Sequence, residues 1–155
     1  MNKLKFLVSV FLFLSLSMTE SEVFAHDFSV TVSGGNQLFL NVTDTLKRTV
    51  EVTYERSITE QHKHLPQGIL YIPESLKYKG QTYTVTAIGP KAFSKATGLE
   101  RVVLPSSLSK IEAFAFECCT ALKSIVYPGS LVSVGDGAFF GCDKIETVSF
   151  GSDWI

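Results

Sequence analysis

The chain has 155 residues, with 14 Lys and Arg against 15 Asp and Glu, for a formal net charge of -1. No basic excess exists to draw it to nucleic acid or to an anionic membrane surface, so neither is expected as a partner. Val, Thr, Ser, Phe and Gly are prominent, a composition that favours strands and turns over long helices.

The chain opens with a basic segment carrying Lys3 and Lys5, then the apolar run FLVSVFLFLSLSM. At about 13 residues this run is short of the ~20 needed to span a bilayer, and it has the length and flanks of a secretory h-region. Val23 and Ala25 supply the small residues a signal peptidase reads. Residues 1–25 are therefore read as a signal peptide cleaved after Ala25, the alternative being an uncleaved anchor. The mature chain starts at His26, has no membrane span, and is exported: secreted or at the cell surface, with the periplasm as the remaining compartment. The mature length is enough for one domain with a modest core.

Residues 26–60 contain three short alternating runs, FSVTV, LFLNV and TVEVTY, separated by SGGNQ and TDTLKR. This pattern predicts an antiparallel meander, which would act as an N-terminal β cap over the first, otherwise open, rung of the C-terminal part of the chain. Residues 61–87 are read as a loop, a partial first repeat and an inserted β-hairpin. The polar stretch RSITEQHKHLPQG (56–68) connects. LYIPESL (70–76) matches VVLPSSL (102–108), and KYKGQTYTV (77–85) then inserts a hairpin turning at Lys-Gly-Gln between Tyr78 and Tyr83.

From residue 88 to 155 three segments align without a gap at a period of 23 residues: IGPKAFSKATGLERVVLPSSLSK, IEAFAFECCTALKSIVYPGSLVS and VGDGAFFGCDKIETVSFGSDWI. Ile88, Ile111 and Val134 open the units. Ala92, Ala115 and Ala138 precede Phe93, Phe116 and Phe139. Leu99, Leu122 and Ile145 follow, then Val102, Ile125 and Val148, then Leu104, Tyr127 and Phe150. LERVVLP, LKSIVYP and IETVSFG alternate like strands with Val102 and Leu104 facing in, and Pro105 and Pro128 stop the pairing. The segment around Ala-Phe is expected to be a tight helical turn or short helix, with the three phenylalanines stacked inside. One unit cannot bury both faces, so the units stack into a solenoid with a parallel ladder.

These residues resemble the BspA-like leucine-rich repeats, whose units run roughly IG..AF..C..L..I.LP..L; the lead-in Y.G.TYTVT.IG is also similar to theirs. The predicted fold is thus an α/β repeat solenoid, β-rich and leucine-rich-repeat-like, with 23-residue units and an antiparallel β cap. The resemblance implies an exported bacterial surface or secreted protein linked to adhesion, with a protein ligand from host extracellular matrix or another cell surface. Long members of the family stack many more units than the three clear ones here.

Stacking sets Arg101 beside Ser124 and Thr147, and Val103 beside Val126 and Ser149, on the outward strand face. That strip is either an ordinary solvated sheet face or a partner-binding surface. Glu100, Lys123 and Glu146 form an alternating-charge column worth a few tenths of a kcal/mol per exposed pair. Inside, Phe93, Phe116 and Phe139 form one core ladder and Ala96, Cys119 and Cys142 another, in which cysteine acts as a small apolar filler. Cys118 shares its slot with Lys95 and Gly141 and should face outward. Cys119 and Cys142 would lie about 5 Å apart between Cα atoms, within disulfide range, although parallel side chains favour free thiols.

His62 and His64 in QHKHLP lack an evident third ligand, so a solvated loop outweighs a metal site. His26 is assigned no role, and the Asn41 sequon is incidental. All three histidines precede residue 65, away from the cysteines, and no hydrolase, metalloprotease or nucleotide-binding motif occurs. No catalytic residue, metal or cofactor is expected. Trp154 falls on the slot of Leu108 and Leu131, and three readings stay open there: a lid, a truncation, or a homodimer through the C-terminal rung. The expected function is non-enzymatic protein recognition, the alternative a structural or assembly module.

Overall fold

The structure, a computed structural model, describes residues 26–54 and 64–151. The expected leader and its cleavage point, His62 and Trp154 lie outside these. The chain runs β1 (Phe28–Thr31), β2 (Gln37–Asp44), β3 (Thr49–Thr53), β4 (Gly68–Tyr71), β5 (Ser75–Tyr78), β6 (Gln81–Ile88), β7 (Leu99–Val103), β8 (Lys110–Ile111), β9 (Ser124–Tyr127), β10 (Ser133–Val134) and β11 (Thr147–Phe150). Two open sheets result. One has the order β11-β9-β7-β4; the other has the order β1-β2-β3-β6-β8-β10, with β5 also on β6.

The first sheet is parallel throughout. Val102 pairs with Ile125 and Ile125 with Val148, so partners lie 23 positions apart. Leu70 pairs with Val102 at a spacing of 32, and the nine extra residues are taken up within the β5–β6 hairpin. That hairpin turns at Lys79 and Gly80, both with positive φ (47° and 76°), the geometry that matches the twist of flanking strands. The second sheet carries a shorter parallel ladder, Ile88–Ile111–Val134. Each coil therefore contributes a strand to both sheets. The repeat pattern predicts only one strand per unit; the two-residue strands β8 and β10 are too short to show an alternation.

The expected α element is not there. Among the described residues the helical content is one 3-10 turn, Ser33–Gly35, so the fold is β-rich rather than α/β. The backbone of the Ala-Phe segment explains why. Lys91 and Lys95 have φ of 57° and 65°, and their counterparts Phe114, Cys118, Gly137 and Gly141 repeat this, which a right-handed helix excludes. Pro90 and left-handed Lys91 form the middle of a turn closed by Ala92 N to Gly89 O (3.3 Å), and Ala96 N closes the next on Phe93 O (3.0 Å). The alternate N–H groups point sideways instead. Phe93 N donates to Ala115 O (2.8 Å) and Lys95 N to Glu117 O (2.7 Å); Phe116 N and Cys118 N donate to Ala138 O and Phe140 O, both 2.7 Å. A helix would spend these donors on its own turn, whereas here they join coil to coil.

β1, β2 and β3 form an antiparallel meander that joins the second sheet through a parallel pairing of β3 with β6, Val52 opposite Ile88. The β2–β3 turn is held by Asp44, whose carboxylate accepts from Leu46 N (2.8 Å) and Lys47 N (2.9 Å); the Lys47 N–H chiefly draws its pKa below the usual range. Leu38, Leu40, Val50 and Val52 are buried in the same apolar cluster as Leu70, Ile88, Leu99 and Val102. Phe28 stacks on Tyr78 at 4.2 Å and 7°, tying β1 to the hairpin. The 3-10 turn lies beside β4, and Asn36 closes on that strand's approach: its Oδ1 accepts from Gln67 N (3.2 Å) and its Nδ2 donates to Gln67 O (3.4 Å).

The two ends of the coil stack differ. Val134, Val148 and Phe150 occupy the columns of Ile111, Ile125 and Tyr127, yet are 46%, 50% and 61% exposed. Their columns are apolar because coils stack on them, and no described residue stacks on the third coil.

Candidate interaction surface

The outward face of the β4–β7–β9–β11 sheet is built from the alternation within each strand. Leu70, Val102 and Ile125 are buried, so the residues on either side of them point to solvent. Register then aligns two columns. Arg101 lies opposite Ser124, and Ser124 opposite Thr147; Val103 lies opposite Val126, and Val126 opposite Ser149. Arg101 and Thr147 are exposed, while Val103, Ser124, Val126 and Ser149 are half-buried by their neighbours.

The strand β4 adds two residues that the repeat pattern did not assign to the face. Ile69 pairs with Arg101 and Tyr71 with Val103, and the two are 45% and 50% exposed. The columns therefore begin with the largest apolar side chains on the face. The alignment of LYIPESL with VVLPSSL already put Tyr71 on the Val103 slot. A one-residue irregularity between Gly68 and Ile69 sets where β4 pairing starts, and no sequence pattern marks it.

Beside this face, Lys123 Nζ lies 3.4 Å from Glu100 Oε2, with both side chains more than half exposed. At such exposure solvent leaves the pair worth only a fraction of a kcal/mol; its use is in register.

Behind the sheet, Phe93, Phe116 and Phe139 stack with centroids 5.1 Å apart at each step, at 28° and then 4°. Phe93 and Phe116 are buried; Phe139 and Cys142 are only half-buried, because they belong to the last described coil. Ala96 and Cys119 are fully buried. Cys119 Sγ donates to Phe93 O at 3.2 Å and Cys142 Sγ to Phe116 O at 2.9 Å. All three cysteines are free thiols.

Burial, then the nearby Cys142, pushes the Cys119 thiol up to about 12, and burial also raises Cys142. A thiol so placed is a poor nucleophile at neutral pH. Its titration also has a sign. The unfolded thiol, with an ordinary value of 9.0, loses its proton first, so stability is complete below about pH 9 and declines above it, by at most about 1.4 kcal/mol per pH unit. Cys119→Ala, which copies the neighbouring Ala96, should remove that part of the alkaline loss. Urea melts of both proteins near pH 8 and near pH 10 should converge by about 1 kcal/mol at the higher pH; parallel losses would show that Cys119 is not the titrating group.

Cys118 is half-buried at φ 56°, and its slot asks for left-handed backbone, which accounts for Gly141 in the next coil. Among the described residues no group of three His, Cys, Asp or Glu side chains could hold a metal ion. His64 is exposed, and its ring lies 6.4 Å from that of Phe39, with His26 at 4.7 Å on the same ring. A cleft beside them, lined by Gln37, Tyr54 and Pro66, has about 10 Å³ of space, room for a water and not for an organic ligand. Asn41 Nδ2 donates to Glu51 Oε1 at 3.2 Å on the adjacent strand. None of the described helices is long and apolar enough to cross a membrane.

Parallel strands stacked coil upon coil, with leucine, isoleucine and valine columns inside, define a leucine-rich-repeat protein. More narrowly, the chain belongs to the BspA type leucine rich repeat region (6 copies), whose profile matches residues 73–154. No curated protein sequence matches it. Three solved structures are similar. A leucine-rich repeat protein from Bacteroides ovatus ATCC 8483 is 30% identical with a TM-score of 0.65, over 79% of this chain and 29% of that one. A leucine rich cell surface protein from Faecalibacterium prausnitzii A2-165 is 22% identical with a TM-score of 0.55, over 79% and 31%. A leucine-rich repeat protein from Bacteroides capillosus ATCC 29799 is 25% identical with a TM-score of 0.51, over 79% and 97%. The chain thus spans less than a third of the first two.

Proposed function

We propose that this chain is an exported, non-enzymatic recognition protein, secreted or held at the cell surface, that binds protein partners through the outward face of the β4–β7–β9–β11 sheet. The observation that carries this reading is the run of Tyr71, Val103 and Val126 along one outward column, with Tyr71 exposed and the two valines half-buried, aligned by the parallel register. Membership of the BspA type family supports it, as does the similarity to a protein described as a cell surface one. In this reading 23-residue units supply the face and residues 26–60 cap the stack. The antiparallel pairing of β1 to β3 and the burial of Leu38, Leu40, Val50 and Val52 support the cap.

Binding of residues 26–155 to immobilised extracellular matrix proteins and to whole partner cells should exceed that of a scrambled-surface control. Val126→Asp should weaken it about tenfold or more, since a carboxylate would sit in the middle of the buried contact. Equal binding by the variant would count against the face.

A second reading, an assembly module that packs against itself or another exported protein, is favoured by the exposed Val134, Val148 and Phe150. Concentration-dependent mass in light scattering should accompany it; a monomer at all concentrations would sink self-assembly.

A further inference from the structure

Among the described residues, the two outward columns hold one charged side chain, Arg101, which lies beside the charge column of Glu100, Lys123 and Glu146. Arg101 is exposed, and no hydrogen bond or ion pair among the described residues engages its guanidinium. Its cross-strand partners are Ile69 and Ser124. Tyr71 and Val103 lie in the next column, opposite one another. Glu100, the carboxylate next to Arg101 in sequence, is engaged by Lys123 instead.

Such a face discriminates by charge. A purely apolar ligand covering Ile69 and Tyr71 would strip water from the neighbouring guanidinium without replacing it, and leaving a charge desolvated and unpaired is costly. A basic ligand would add repulsion. A carboxylate meets the guanidinium with two parallel N–H···O bonds, while Lys would offer only a point charge. Tyr and Arg are also the side chains that concentrate binding energy at protein interfaces. Adjacent rungs are about 4.8 Å apart, so one segment of the partner can present both its apolar group and its carboxylate to these neighbouring rungs.

Resting on the recognition role proposed for this face, we infer that its partner is a protein segment that sets an apolar or aromatic side chain beside an Asp or Glu. The apolar group covers Ile69 and Tyr71, the carboxylate takes Arg101, and the Ser124 hydroxyl supplies a further hydrogen bond at the margin. The cation makes the contact selective for acidic–apolar partners and sensitive to salt.

The test uses residues 26–155 and immobilised synthetic peptides in which Glu alternates with Leu and Phe, with matched sets carrying Gln or Lys in place of Glu. Polygalacturonate serves as a polyanion that is not protein. The Glu peptides should bind about tenfold more tightly than the Gln set and lose that advantage in high salt. Arg101→Gln should abolish the preference, the Glu set falling about tenfold to the affinity of the Gln set, and Tyr71→Ala should weaken both sets. Equal binding of Glu and Gln peptides, still lost on Val126→Asp, would overturn the acidic specificity and leave the recognition face standing. Binding of polygalacturonate through Arg101 without any peptide binding would overturn it too. Insensitivity of every probe, matrix proteins and cells included, to Val126→Asp would remove the recognition role itself.

Discussion

Phe116→Ala should lower the unfolding free energy by about 3–5 kcal/mol, the range for truncating a buried phenylalanine. The ring is fully buried and touches aromatic neighbours on both sides, 5.1 Å to Phe93 and 5.1 Å to Phe139. Removing it opens a cavity in the middle of the stack and forfeits two ring–ring contacts at once. The hole cannot close by sliding the coils together, because Phe116 N to Ala138 O and Phe93 N to Ala115 O already fix the spacing from both sides. Since a domain of this size has about 5–15 kcal/mol in total, the variant should sit near the edge of folding. Urea denaturation should show a large fall in midpoint. Phe139→Ala should cost clearly less, because its ring is half-buried and has one phenylalanine neighbour in the ladder. Equal losses at the two positions would mean that the ladder is not the element holding the coils together.

The phenylalanine ladder was legible because it repeats: three identical residues at one slot, each followed three positions later by Ala96, Cys119 or Cys142, leave little freedom in register. The same is true of the columns Arg101–Ser124–Thr147 and Val103–Val126–Ser149, which follow from alternation and period alone. The turn segment was misread for an identifiable reason. Ala92, Phe93 and Ala96 have a helical spacing, and nothing in Lys91 or Lys95 announces positive φ, since lysine rarely adopts it. The glycines at 137 and 141, in the same two slots one or two coils on, were the available signal. A further feature depends on tertiary pairing and leaves no periodic trace: the parallel docking of β3 on β6, which puts the meander on the second sheet. The β4 register was legible, since aligning Leu70 with Val102 also carries Ile69 onto Arg101.

The asymmetry of the stack bears on how the molecule would lose structure. At the N-terminal end, β3 pairs with β6 and Asn36 bonds to Gln67 just before β4, the outer strand of the other sheet. At the other end β10 and β11 are the outer strands of their sheets, and Val148 and Phe150 are half or more exposed. In a coil stack each coil is held by its neighbours, so the third coil should open at lower free energy than the first two. Hydrogen exchange can therefore separate a defect confined to the third coil from one felt throughout.

Gly135→Ala is the substitution that should produce such a defect. A Cβ at position 135 would lie 2.5 Å from Ala113 N, 2.7 Å from Glu112 C and 3.0 Å from Ala113 Cα. All three are backbone atoms of the preceding coil, so no side-chain rotation relieves the clash. The glycine is not there for its conformational freedom, because its φ is not positive; it is there because Gly135 N reaches Ile111 O at 2.7 Å and the two chains approach without room for a methyl group. Nor does the repeat by itself impose it, since Glu112 fills the equivalent slot one coil earlier. Overpacking of this kind costs about 1–3 kcal/mol where neighbours can shift, and more where they are backbone. The expected loss is about 3 kcal/mol, delivered locally: amides of β10 and β11 should exchange with little protection, while those of β2 and β3 keep theirs. Gly151→Ala is the control, since its Cβ would come no closer than 3.5 Å to Tyr127 O, an ordinary contact costing under about 0.5 kcal/mol. Should Gly135→Ala melt like the control, the close approach of the second and third coils would be wrong, and with it the placement of β10 beside β8.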